Sequence, residues 1–208
     1  MMKKQISLLL CALLLLSLFT ACKDSGNTAA STTETTATPA GTLLMSLGAT
    51  FEVSFDQKGN VLEVNATNAQ GEALEGEIGD FTGRGCVFLV RKLLRQAITA
   101  GALGDTKSLV VRLNTGDTEP VENFLETIVE DTQYLADEEG TGIKVTALLK
   151  DDLTPEGLLS SAAAKSLVAK HLGVTPDTLQ DGVLNADTKQ YTFDGYTVDA
   201  LYGTVTKA

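Results

Sequence analysis

The stretch FEVSFDQKGNVLEVNATNAQG, residues 51–71, decides the fold predicted for this chain. Phe51, Val53 and Phe55 alternate with polar residues, a pattern typical of a strand that has one buried and one wet face. A polar turn that contains Gly59 follows, and the chain then returns as a second, Val-rich strand. The sequence therefore predicts a β-hairpin at this point.

Further segments around the hairpin have strand or helix periodicity. They are strands over 43–47, 61–66, 109–113 and 143–149, a helix over 85–100, and a helix capped by Thr118 with Pro120 in its first turn. The order is strand, strand, helix, strand, helix, strand. This order favours an α+β fold, with an antiparallel or mixed sheet and helices packed on one face.

Residues 151–208 have their own pattern. Thr154-Pro155 and Thr175-Pro176 both combine a capping Thr with a Pro at the first helical position, so we expect a helix to start at each. Three strand-like segments follow, over 182–185, 190–193 and 196–205. This helix and β-hairpin extension either continues the first sheet or forms a small second lobe, and the pattern leaves both alternatives open.

The amino terminus has the features of an export signal. Lys3 and Lys4 precede an apolar run over 6–19, which is shorter than the ~20 residues that span a bilayer. The residues before Cys22 resemble the cleavage site of bacterial lipoproteins, with Phe19 where that family usually has Leu. We therefore expect residues 1–21 to be a signal peptide and Cys22 to carry the lipid. The alternative is an ordinary secretory signal that ends in Cys.

The segment 22–41 is rich in Ser, Thr, Ala and Gly, so we expect a flexible tether between the anchor and the folded part. Without residues 1–21 the chain keeps 14 of its 16 basic side chains and all 27 acidic ones, a net charge of −13. This balance disfavours nucleic acid as a partner and makes the lipid the only expected membrane contact. The expected location is the extracytoplasmic face of the cell membrane.

The hairpin and the Asn65-Ala66-Thr67-Asn68 segment after it resemble the extracytoplasmic middle domain of RsgI-like anti-sigma factors of Gram-positive bacteria. The resemblance covers about residues 43–150, and we place the domain at 42–150. It implies a SEA-like fold that, in that family, cuts itself at an Asn-Pro bond. The corresponding residues here are Gly48 and Ala49, so that route is absent and we expect an intact domain. Attack by the Thr50 hydroxyl on the Ala49 carbonyl is the remaining route.

Other chemistry-bearing residues have simple interpretations. Cys86 lies in an apolar stretch and is expected to be a small core residue, and His171 is expected at a helix end. The acid pairs Glu138-Glu139 and Asp151-Asp152 are expected to be solvated. Four aromatic residues near the carboxyl terminus either form a binding face for a glycan or peptide or fill the core of the hairpin: Tyr191, Phe193, Tyr196 and Tyr202.

These observations predict a non-enzymatic surface lipoprotein with no cofactor, no metal and no catalytic residue. Its folded part is expected to bind a protein or glycan outside the cell, as an accessory to envelope sensing or anti-sigma regulation. Direct binding of a sigma factor is not expected. The alternatives are a structural or adhesive protein that presents a surface, and a self-cleaving SEA-like domain that uses Thr50.

Overall fold

The computed structural model describes residues 38–104, 106, 108–113 and 120–208. Within them the chain forms strands and helices that we number in chain order. These are β1 (Gly41–Leu47), β2 (Ala49–Phe55), β3 (Val61–Ala66), α1 (Ala69–Ile78), α2 (Cys86–Thr99), β4 (Ser108–Leu113), α3 (Phe124–Glu138), β5 (Lys144–Leu148), α4 (Ser161–Leu172), β6 (Val183–Asn185), β7 (Gln190–Phe193), β8 (Tyr196–Asp199) and β9 (Val205–Lys207).

The first five strands form one sheet in the order β3-β2-β1-β4-β5. All neighbouring pairs are antiparallel except β4 and β5, which run parallel and are connected through α3. The predicted hairpin is present, with Val53 opposite Val64 and a bulge between Ser54 and Phe55. The fold is therefore α+β with a mixed sheet, as the sequence predicts.

One face of this sheet carries the first core. Alternate residues of β1 and β2, among them Met45, Phe51 and Phe55, are fully buried against α1, α2 and α3. Helix α2 contributes Leu89, Leu93 and Leu94, and α3 contributes Ile128 and Leu135. Three helices thus cover one face, which agrees with the predicted arrangement.

Helix α1 was not predicted. Asn68 caps it, because its side-chain oxygen accepts a hydrogen bond from the Gly71 N–H at 2.8 Å. Gly71 is needed here, since a Cβ at this position would lie 2.7 Å from the Thr50 carbonyl oxygen. The two glycines of the helix, Gly71 and Gly76, weaken its apolar pattern, and this explains why the pattern did not reveal it.

Two helix starts differ from the sequence prediction. Helix α3 begins at Phe124, after Asn123 in a left-handed conformation, and the predicted cap Thr118 lies outside the described residues. Thr154-Pro155 does not start a helix. It forms a turn, closed by a bond from the Gly157 N–H to the Thr154 carbonyl at 2.9 Å, and α4 starts later with Ser160 as its cap. The short helical turn at Pro176–Thr178 is confirmed.

The carboxyl-terminal residues form a second, antiparallel sheet in the order β6-β7-β8-β9. The predicted strand over 196–205 is wrong in its length, because a turn at Ala200–Tyr202 divides it into β8 and β9. Together with α4 this sheet builds a second core that includes Leu167, Val198 and Val205.

This second unit of structure, which we call the carboxyl-terminal lobe (residues 151–208), packs on the face of the first sheet opposite α1–α3. Val110 and Leu148, whose neighbours in β4 and β5 belong to the first core, join the second core instead. Polar contacts line the same interface. Arg112 donates to the Leu201 carbonyl at 2.7 Å, and Ser46 and Thr204 share a hydrogen bond between their hydroxyls.

Candidate functional site

The predicted lipid attachment residue, Cys22, lies outside the described residues, as do the signal peptide and residues 22–37 of the tether. Strand β1 already begins at Gly41, and the Ala40 N–H bonds to the Phe55 carbonyl at 2.7 Å. No helix among the described residues combines the length and the apolar character needed to cross a membrane.

The turn at Gly48-Ala49 joins β1 to β2. The Asn68 side chain holds both of its ends: its amide donates to the Gly48 carbonyl at 2.8 Å, and its oxygen accepts from the Thr50 N–H at 3.1 Å. The same oxygen caps α1. One side chain therefore fixes the turn to the first helix.

The Thr50 hydroxyl is buried and bound. Thr67 donates to the Thr50 Oγ1 at 2.6 Å, and the Tyr202 hydroxyl donates to the Thr67 Oγ1 at 3.1 Å. A threonine hydroxyl is no general base at neutral pH, so this partner does not activate Thr50 as a nucleophile. The contacts instead connect the turn to the carboxyl-terminal lobe.

Cys86 is the first residue of α2 and is buried, as predicted. Burial raises the pKa of its thiol to about 12, and the nearby Asp56 carboxylate acts in the same direction. The thiol is therefore protonated at neutral pH and is a poor nucleophile or metal ligand.

This raised pKa predicts a pH dependence of folding. In the unfolded chain the Cys86 thiol ionises near pH ~8.5. The free energy of unfolding should therefore be unaffected by this thiol below that pH, and should fall as pH rises toward 12, by at most ~1.4 kcal/mol per pH unit. Urea unfolding of the wild type and of Cys86→Ala between pH 8 and 11 tests this. Other groups titrate equally in both proteins. The difference in unfolding free energy between the wild type and Cys86→Ala should therefore shrink as pH rises. A constant difference would refute the expectation.

The remaining candidates take structural positions. His171 lies in the last turn of α4, as predicted, with its ring edge-on to Tyr196 at 5.6 Å between centroids. Tyr191 and Phe193 are buried, which favours the core alternative for them, and the Tyr191 hydroxyl donates to the Leu159 carbonyl at 2.9 Å. Among the described residues, no group of three or more His, Cys, Asp or Glu side chains is placed to hold a metal ion.

A groove in the carboxyl-terminal lobe was not predicted. It has a volume of about 570 Å³ and lies between α4, the turn at Pro176–Thr178 and the β6–β7 pair. Its apolar lining includes Val168, Leu179, Phe193 and Val183, and its polar lining includes the carboxylates of Asp181 and Asp194. We call it the β6 groove.

Two features shape the β6 groove. Gly182 lies directly over the Phe193 ring, and a Cβ at Gly182 would come within 2.5–2.8 Å of three ring carbons. Lys165 binds Asp181 at 2.8 Å, and this contact holds the pKa of Asp181 below its ordinary value, so its carboxylate is charged at neutral pH. Val183, the first residue of β6, is 73% exposed. The groove therefore combines apolar and acidic lining residues with an exposed strand.

Sequence reasoning missed this groove because its walls come from separate segments. The available signal was the charge of the region: residues 175–199 contain five Asp and one Lys, and an exposed Val-Leu pair at 183–184 lies within it. In comparisons with known proteins, the chain matches no family model and no curated protein.

Proposed function

We propose that this chain is a non-enzymatic lipoprotein, anchored through Cys22 on the extracytoplasmic face of the cell membrane, whose folded part binds a partner outside the cell. The observation that carries the binding role is the β6 groove beside the exposed Val183. Exposed apolar side chains at the border of a concave surface are typical of interaction sites. The membrane contact of the protein is the lipid alone.

The partner is a protein of the envelope, and the proposed role is accessory to envelope sensing. The hairpin and its Asn68 segment, which resemble the RsgI-like outer domain, support this role. A lipid on the outer face transmits nothing across the membrane, so any effect on transcription runs through that partner. No direct contact with a sigma factor is part of this proposal.

Site-directed crosslinking in the native cells tests the binding role. A photoreactive amino acid replaces Val183 in the full-length chain, and the matched control replaces Thr206, an exposed residue of β9 at the opposite edge of the same sheet. We expect a discrete adduct from position 183 and none from position 206. The absence of an adduct at 183, or equal labelling at both positions, would count against the proposal.

The sensory role has a separate test. Deletion of the gene should change sigma-dependent transcription, and the substitution Val183→Lys should reproduce that change while Thr206→Lys should not. An unchanged transcript profile in the deletion strain would refute the sensory role. It would leave partner binding to be judged by crosslinking.

We expect the folded part to stay uncleaved. The Thr50 hydroxyl is bound to the Thr67 hydroxyl, and the Asn68 side-chain amide donates to the Gly48 carbonyl. Neither the Thr50 hydroxyl nor the Asn68 amide is therefore poised to attack the Ala49–Thr50 bond. The mature protein should therefore give one band on a denaturing gel, identical to that of Thr50→Val. Two fragments that meet at Ala49–Thr50 in the wild type but not in Thr50→Val would establish self-cleavage.

A further inference from the structure

The two sheets have four edge strands, and the chain itself bonds to part of the free edge of three of them. At β3, the Val61 N–H bonds to the Arg84 carbonyl at 2.7 Å, and the Ala66 N–H bonds to the Glu75 carboxylate at 3.2 Å. The turn before α2 and the side of α1 thus occupy the hydrogen-bonding positions at which another strand would add.

The edge of β5 is closed by two side chains. Gln133 accepts from the Val145 N–H at 2.9 Å and donates to the Ile143 carbonyl at 3.0 Å, and Lys170 donates to the Val145 carbonyl at 2.9 Å. At β9, the Val205 N–H bonds to the Ser108 hydroxyl at 3.3 Å, because this strand lies against the first sheet. Each of these three edges is thus covered at one or more backbone positions, although Thr206 and Lys207 of β9 are exposed.

Strand β6 is the exception. Among the residues that the structure describes, no side chain or loop bonds to its free edge, and all three of its residues, Val183–Asn185, are exposed. Unpaired backbone groups on an edge strand are a template for a further strand. This strand also borders the β6 groove, where apolar side chains can insert.

The charge of the region restricts the occupant. Asp181 and Asp194 line the groove. Although Lys165 pairs with Asp181, residues 175–199 together with Lys165 carry five Asp against two Lys. A second copy of this chain would bring two acidic lobes together, which is unfavourable. A segment with Lys or Arg beside apolar residues would instead match both the acidic and the apolar lining residues of the groove.

We propose that β6 and its groove bind an extended, cationic segment of a partner protein, which adds to the second sheet as a fifth strand. Its backbone pairs with the free edge of β6, its apolar side chains contact Leu179 and Phe193, and its basic side chains lie near Asp181 and Asp194. This inference rests on the proposed function and specifies the chemistry of the partner.

Three synthetic peptides test it against the full mature chain. The first is a dye-labelled Lys-Thr-Val-Thr-Val-Thr-Lys-amide, whose Lys and Val side chains lie on one face of an extended strand. The second has Glu for both Lys, and the third has N-methyl groups on its three central residues, which remove backbone donors and keep the side chains. By fluorescence anisotropy, we expect the first peptide to bind at least about tenfold more tightly than the other two, and more weakly at high salt. Hydrogen exchange should slow at residues 183–185.

Variants of the protein locate the effect. Asp181→Asn with Asp194→Asn should weaken binding of the first peptide by about tenfold or more, and so should Val183→Lys. The matched control is Glu72→Gln with Glu126→Gln, which changes the net charge equally on exposed helix positions of the other face. This control should stay within about twofold of the wild type, since surface charges at that distance are screened.

Several outcomes would overturn the inference: no binding of the first peptide up to ~1 mM, where affinity is only about −4 kcal/mol, equal binding of the Lys and Glu peptides, or no loss on N-methylation. A dimer in sedimentation that Val183→Lys abolishes would also overturn it and identify a second copy as the occupant. If crosslinking at Val183 in cells is nevertheless positive, the binding role stands and only the strand-addition mode falls.

Discussion

The Cys22→Ala variant is expected to leave the membrane fraction almost completely. Cys22 is the residue that we predict to carry the lipid, and the predicted net charge of −13 gives the mature chain no attraction to anionic lipid. Two acyl chains, at ~0.8 kcal/mol per buried methylene, hold a protein firmly on a membrane. Without the lipid, we expect the variant to have no membrane contact. Fractionation of cells followed by immunoblotting measures the distribution.

Cys86→Ala is the matched control for this prediction, because it removes the other cysteine expected in the mature chain. That variant should remain in the membrane pellet. If Cys22→Ala also remains there after a carbonate wash, the lipid anchor is wrong and the chain is held by another means. Mass spectrometry of the mature amino terminus should show the acyl chains directly in the wild type.

Asn68→Ala is expected to be among the most destabilising substitutions of a half-buried residue in this protein, by about 2–4 kcal/mol. It removes the cap of α1 and leaves the Thr50 N–H and the Gly48 carbonyl without their partner. The loss therefore combines a helix cap with two backbone groups at a tight turn. Urea unfolding followed by circular dichroism measures it.

Asn68→Asp separates these contributions. The carboxylate keeps the acceptor for the Thr50 and Gly71 N–H groups and suits a helix amino terminus, but it has no donor for the Gly48 carbonyl. We expect a loss of only ~1 kcal/mol for this variant. Equal losses for Ala and Asp would mean that the turn, rather than the cap, depends on Asn68.

The parts of the fold that the sequence predicted are those in which local pattern and tertiary burial coincide. Phe51, Val53 and Phe55 alternate with polar residues because one face of β2 meets the core. Helix α2 has apolar residues at helical spacing because it lies on that same core. Helix α1 packs through Gly71, Leu74 and Ile78, and it escaped prediction because its two glycines interrupt the apolar pattern. Its contact with β2 needs Gly71, whose presence lowers helix propensity.

The error at Thr154-Pro155 has a different cause. The local signals of a helix start are all present there, but Leu153 and Leu159 pair as an isolated bridge, and the Thr154 N–H bonds to the Leu158 carbonyl at 2.7 Å. This arrangement places Leu159 in the second core. Burial of a residue further along the chain thus outweighs the capping preference, which a local pattern cannot express.

The β6 groove was beyond sequence reasoning for a similar reason. Val168, Leu179 and Phe193 come from a helix, a turn and a strand, and only the packing of α4 on the second sheet brings them together. The open edge of β6 differs from the other three edges, where side chains such as Gln133 and Lys170 bond to the strand. Such a contrast between edges is visible only in the folded molecule.

The position of β1 has a mechanical consequence. This strand follows directly on the predicted tether, and it lies in the middle of the first sheet, with β2 on one side and β4 on the other. Tension on an anchor at Cys22, as proposed, would therefore enter the described part of the protein near Gly41 and load two ladders of hydrogen bonds together. An edge strand in this place could be peeled away one bond at a time, whereas a middle strand resists until many bonds yield at once. The proposed anchor would thus pull at a point where the fold resists.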